Sequence, residues 1–263
     1  MPIVVRKQHN DNEKVNAARG QLVVKRNDFI QKSRHQLSLQ EQKIVLYIIS
    51  KVKPGDTSFT EQTFSIAEFC RFCGIDETSG KNYSDIKDTL GKLLSRFVWV
   101  KLDDGSETSL RWIDKATISA RSGLIRLRLD EDLRPFLLLL SEHYTLYEMR
   151  YTLAMKSQYS IRLYELLKSY LYRKSIVFDI EELKRLLNAE NWVRSNDVKR
   201  KVLDIAIREI NEYTDVAVQY HFQKEGKRFV RVCFDISRKE AFDRFVVGVN
   251  VNQTIDAKKA VQT

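Results

Sequence analysis

The chain has 263 residues, of which 43% are hydrophobic and 30% charged, with only nine glycines and three prolines. That length accommodates one or two domains with packed cores, and the composition excludes a collagen-like or low-complexity chain. Lys and Arg outnumber Asp and Glu by 45 to 35, a net charge of +10, which points to a polyanionic partner, nucleic acid before an anionic membrane surface.

The first residues offer only Ile3, Val4 and Val5 before a charged stretch from Arg6 to Lys14, which is too little for the apolar segment of a secretory leader. The longest apolar runs, Ile44–Ile49 and Phe136–Leu140, are too short to cross a bilayer, so no membrane partner is expected. Three cysteines in a chain this long argue against a disulfide framework and for a cytoplasmic protein with free thiols.

Residues 1–20 read as a flexible polar arm. The first firm helix is expected over Ser38–Val52, with Ser38 as N-cap and Glu41 at capping-box spacing. Lys53-Pro54-Gly55-Asp56 ends it. Phe64-Ser65-Ile66 reads as a strand, followed by a short helix to Cys73 with Gly74 as terminator, and then a helix over Ser84–Phe97 carrying Ile86, Leu90, Leu93, Leu94 and Phe97. The period then changes to that of strands. Val98–Leu102 and Thr108–Ile113 flank the turn Asp103-Asp104-Gly105-Ser106, and Lys115–Ala120 and Leu124–Leu129 flank Arg121-Ser122-Gly123, giving two hairpins. Asp130–His143 reads as a helix with Pro135 in its first turn.

A second round comes next: an amphipathic helix over Gln158–Tyr172, a strand at Ile176-Val177-Phe178, and a short helix over Ile180–Asn188. A longer helix, capped by Ser195 or Asn196, runs to Tyr213. The strands Val216–Phe222 and Phe229–Phe234 close the round about the loop Lys224-Glu225-Gly226-Lys227. The order helix, strand, helix, helix, hairpin therefore occurs twice. Residues repeat too: Phe64 to Phe72 lies over Phe178 to Leu186, and Ile86, Leu90, Leu93 and Leu94 over Val198, Val202, Ile205 and Ala206. This predicts an α+β chain of two tandem winged-helix domains, residues 21–147 and 148–240, between the arm and a tail over 241–263.

In such a domain the longer helix fits the major groove and the hairpin wing reaches the backbone. The second copy carries the better site. Its long helix opens with Arg194, Ser195, Asn196, Lys199, Arg200 and Lys201, and its wing adds Lys224, Lys227 and Arg228 for phosphate contact. Arginine pairs bidentately with guanine and asparagine with adenine. Cations at a helix start oppose the helix dipole, so local stability is not their reason for being there. The first copy is nearly charge-balanced, and its candidate DNA contacts are Lys81, Lys87, Lys92, Arg121, Arg126 and Arg128. Trp112, if exposed, or an open strand edge over residues 108–113, would suit self-association; packing of Trp112 in the core is the equal alternative.

The run Tyr159-Ser160-Ile161-Arg162-Leu163-Tyr164-Glu165-Leu166-Leu167, the run Val202 to Asn211 followed by Thr214-Asp215, and the pattern Leu37–Ile49 together resemble the iteron-binding plasmid replication initiators, over about residues 20–240. The resemblance implies a protein that binds direct repeats (iterons) at a plasmid origin as a monomer. It implies a dimer, formed through the first domain, that binds an operator inverted repeat and represses its own promoter. It also implies recruitment of host helicase, initiator and chaperones in a bacterial cytoplasm. Carried to this chain, the reading positions are Asn196, Lys199 and Arg200, while Arg162 and Tyr164 are structural.

Other classes fit less well. A nicking enzyme needs paired histidines and a nucleophilic tyrosine, but His9, His35, His143 and His221 are scattered, so no catalytic residue and no cofactor are expected. The stretch Gly74–Asn82 has five residues between its glycines where a phosphate loop has four, and Asn82 stands at the magnesium-binding position. Cys70 and Cys73 form a lone pair without a second ligand set, so no metal is expected, and Cys233 is expected in the core. A winged-helix transcriptional repressor without a role in replication remains open, as does a partner-binding winged helix without DNA affinity.

Overall fold

The computed structural model describes residues 22–53, 56–73, 82–119, 121–140, 142–226 and 228–239. The N-terminal arm, the loop holding Gly74 and Lys81, Lys227 and the tail lie outside these residues, as does the side chain of Cys73.

The first half begins with elements that carry little signal of their own in residue pattern. Strand β1 (Leu22–Arg26), helix α1 (Asn27–Lys32) and strand β2 (Ser33–His35) precede α2 (Leu39–Ser50). The Ser38 hydroxyl accepts from the Glu41 amide at 3.3 Å and the Glu41 carboxylate from the Ser38 amide at 2.7 Å, so the capping box forms as its spacing predicts. Next come β3 (Gln62–Ser65), α3 (Ile66–Cys73), α4 (Asn82–Leu94) and two hairpins, β4 (Phe97–Lys101) with β5 (Glu107–Arg111), and β6 (Ile113–Ser119) with β7 (Leu124–Leu129). Strand β3 adds to β7, making the sheet order β3-β7-β6, while β2 adds to β4, making β2-β4-β5. Phe97 belongs to β4 rather than to the preceding helix and is 44% exposed.

The helix expected over Asp130–His143 is not continuous. A 3-10 turn at Glu131–Leu133 leads into the single turn α5 (Arg134–Leu137), after which Leu138 is extended and Leu139 takes φ 52°. Leu137, Leu138 and Leu140 are all buried, and an extended backbone lets neighbouring leucines reach the core where one helical face could not. Strand β8 (Tyr144–Glu148) then pairs with β1 in antiparallel register, Val24 opposite Leu146, joining the two ends of this half.

After the short α6 (Arg150–Leu153) comes α7 (Gln158–Ser169), and it is not amphipathic as expected. Ser160 through Leu167 are all buried, because α7 packs against elements of both halves. The second half continues with β9 (Ser175–Asp179), α8 (Ile180–Leu187), a long helix over residues 195–213, and the strands β10 (Val216–Glu225) and β11 (Arg228–Arg238), in the sheet order β10-β11-β9. Phe64 on β3 and Phe178 on β9 are both buried, and each faces its wing strand, opposite Ile125 and Val232 respectively. The internal repeat is thus a structural one: two tandem winged-helix domains, the first carrying β4–β5 as an additional hairpin.

The charged and polar residues of the recurring runs meet inside. Arg162 donates to the carbonyls of Leu186 at 3.1 Å, Ile30 at 2.7 Å and Ser33 at 2.5 Å, joining α7 to both halves. Lys25 on β1 pairs with Glu165 at 2.6 Å, and Tyr147 donates to the same carboxylate. Tyr164 donates to Asp215 at 2.9 Å, and Lys168 pairs with Asp215 as well. Glu209 accepts from the amides of Lys156 and Ser157, where α7 begins, and Asn211 exchanges two hydrogen bonds with Val218 on β10. These runs are the framework of the two-domain fold. Arg162 and Tyr164 are structural, as the sequence implied.

Candidate nucleic-acid interface

The long helix of the second domain has three segments: α9 (Ser195–Asp197), a π-helical stretch over Val198–Leu203, and α10 (Asp204–Tyr213). The sequence predicted one uninterrupted helix capped by Ser195 or Asn196. Instead Arg194 is the N-cap, without a side-chain capping bond. The π stretch inserts one residue and rotates the face that α10 presents. Val198, Val202 and Ala206 are buried as expected, but Ile205 is only half-buried and Leu203 takes a core position instead. Past the insertion, Leu93 of α4 matches Ala206 rather than Ile205 in burial.

The π stretch, Val-Lys-Arg-Lys-Val-Leu, holds three successive cations, and their environments differ. Lys199 pairs with Asp204 at 2.8 Å. Asp204 also accepts from Tyr220 of β10 at 2.5 Å; burial opposes its charge, yet the bonds from Lys199 and Tyr220 hold its carboxyl below the usual range. Burial, reinforced by Asp204, pushes the Tyr220 hydroxyl up. Lys201 pairs with Asp197 at 3.3 Å and lies 4.3 Å over the ring of Trp192. Arg194, Asn196 and Arg200 are exposed, and their side chains have no partner among the described residues. Ser195 is half-buried. The six residues named from the sequence therefore lie together on one helix start, but two of the cations are already paired.

On the wing, Lys224 and Arg228 are exposed beside the hairpin turn, Lys224 lying 4.9 Å over the ring of Phe229. The strands run longer than predicted, and Phe222 packs on Phe229 at 4.3 Å between ring centroids, which stiffens the tip. Trp192 was not singled out from the sequence. Its Nε1 donates to Tyr159 at 3.1 Å, fixing the loop that leads into the long helix. An aromatic residue two positions before Arg194, in the loop leading to the basic helix start, was the available signal.

In the first domain, Lys87 and Lys92 are exposed on α4, interspersed with Asp85 and Asp88. Arg121 is exposed at the β6–β7 turn and Arg126 on β7, while Arg128 is held by Asp114 at 3.0 Å through Nε. Trp112 is only 1% exposed, edge-on to Phe29 and His35, so it is a core residue and not an interface. Strand β5 is nonetheless the outer strand of its sheet, and beside it Phe97 and Trp99 are each 44% exposed. Cys70 and Cys233 are buried. Among the described residues no cluster of His, Cys, Asp or Glu could hold a metal ion, and no helix is long and apolar enough to cross a membrane.

Two winged helices in tandem, the second presenting a cationic helix start and a basic wing, define a winged-helix protein of nucleic-acid-binding type. The chain belongs to the initiator replication protein family: residues 22–168 match the model of its domain WH1, and residues 179–236 that of its domain WH2. Among solved structures it is similar to the Pi initiator protein in complex with iteron DNA, at 21% identity and a TM-score of 0.64, over 84% of this chain and 99% of that one. Domains 2 and 3 of RctB match over 67% of this chain and 73% of theirs, at 15% identity and a TM-score of 0.39, too low to bear on the fold.

Proposed function

We propose that this protein initiates plasmid replication by binding direct repeats at the origin as a monomer, without catalytic chemistry of its own. The helix start of the second domain enters the major groove, with Arg194, Asn196 and Arg200 on base edges and Ser195, Lys199 and Lys201 alongside. The wing residues Lys224, Lys227 and Arg228 hold phosphates. Lys87, Lys92, Arg121 and Arg126 of the first domain touch the neighbouring half of the site. The observation that carries this reading is the set of three exposed polar side chains at this helix start, Arg194, Asn196 and Arg200, that have no partner among the described residues, beside Lys199 and Lys201, which do. Guanidinium and carboxamide groups are the ones that read guanine and adenine bidentately. The family, and the likeness to an initiator whose structure holds iteron DNA, support it.

The outer strand β5 suits pairing with a second copy, the route to a dimer that binds an inverted repeat and represses the promoter. Host replication proteins are then recruited to the origin-bound form in the cytoplasm.

The test is selection of bound duplexes from random sequence, then footprinting and stoichiometry at fixed salt. A selected site bound by one copy, and present as tandem direct repeats beside the gene, is the expected result. A palindrome bound only by dimers would replace the initiator reading with that of a repressor.

A further inference from the structure

Val193 is the most exposed of the large apolar side chains among the described residues, at 84%. A solitary surface valine ordinarily needs no explanation. This one is held in place from both sides. Before it, Trp192 is fixed by its bond to Tyr159, by the Lys201 ammonium over its ring and by its amide, which donates to the Ala189 carbonyl at 3.1 Å. After it, the Arg194 carbonyl accepts from the amides of Asp197 and Val198, starting the helix. The isopropyl group is therefore presented to solvent by a loop anchored at each end.

It also immediately precedes Arg194 in the chain and leads into the helix start that carries Asn196 and Arg200, the exposed polar groups without partners among the described residues. Guanidinium groups suit guanine and a carboxamide suits adenine. Thymine is marked in the major groove by its C5 methyl group, which is read by an apolar contact. An exposed valine at the entry to that helix start supplies the missing kind of group.

We infer that Val193 contacts the 5-methyl group of a thymine in the major groove and so helps set the sequence preferred by the second domain. This rests on the reading of residues 194–200 as the base-contacting segment.

The test uses the full chain and the duplex selected above. Failure to select any duplex would overturn the DNA-reading proposal itself, separately from the role of Val193. With a selected site in hand, each thymine is replaced singly by deoxyuridine, which deletes only the methyl group. At one or two positions the wild type is expected to lose about fourfold in affinity, the worth of one buried methyl group. Val193→Ala, at so exposed a position, stays folded and is expected to bind the thymine and deoxyuridine duplexes equally. Arg200→Ala is expected to weaken both and keep their ratio. The inference is overturned by a site without thymine, by a wild type indifferent to every replacement, or by a penalty that Val193→Ala retains in full.

Discussion

Arg162 and Arg200 carry the same group in opposite circumstances. Arg162 is 3% exposed, with three backbone carbonyls as acceptors, while Arg200 is exposed with no partner among the described residues. A charge can be buried where the fold supplies enough acceptors to replace water. An exposed cation with no partner among the described residues adds little to local stability. The first arginine serves the architecture, and the second is the one proposed above to serve a partner outside the chain. Lys199 and Lys201 lie between these extremes, accessible to solvent but paired with Asp204 and Asp197.

The largest effect separating the two roles is expected from Arg162→Met. It leaves the carbonyls of Ile30, Ser33 and Leu186 without their donor and should cost about 3–5 kcal/mol of folding stability in urea unfolding. A cost near 0.5 kcal/mol, roughly the size of a surface substitution, would remove Arg162 from the framework.

A smaller effect concerns His35. Its Nδ1 is buried without a partner, and burial, with Arg162 and Lys25 nearby, holds its imidazole well below the ordinary range. Below about pH 6.5 the unfolded histidine takes up a proton that the folded one refuses. Its contribution is therefore fully present above that pH and is lost as the pH falls toward the folded-state value. Unfolding free energy should decline on that side, and His35→Gln should flatten the decline; an unchanged profile in the variant would assign it to other groups.

The smallest effect is expected from Asp204→Asn, which releases Lys199. The salt slope of binding to any duplex should steepen by about one unit, with stability altered by about 0.2–1 kcal/mol at most, since the ion pair is exposed. An unchanged slope would show that Lys199 does not reach phosphate.

Much of this was legible in the sequence because local rules and the fold agree. Ser38 with Glu41 forms its capping box, and the Phe64 and Phe178 registers coincide on equivalent strands. What was missed depends on pairing or packing between distant segments. Strand β8 exists because β1 lies beside it, 122 residues away as measured from Val24 to Leu146. Helix α7 reads as amphipathic in the sequence, but both halves close on it, so Ser160 through Leu167 are all buried. The π stretch has no signature in residue type, yet it moves Ile205 out of the core and Leu203 in. The cations of the candidate interface were legible by composition. Which of them are already paired was not, because Asp204 and Asp197 act only through the helix geometry.

The central claim is that the unpartnered groups of the second domain read bases. The most direct measurement is the affinity of Arg200→Ala for the selected duplex and for a random duplex at one salt concentration, in a variant shown to unfold like the wild type. The account predicts a loss of about 1–3 kcal/mol on the selected duplex and a much smaller one on the random duplex. Equal losses on both would make Arg200 a phosphate contact and contradict the claim.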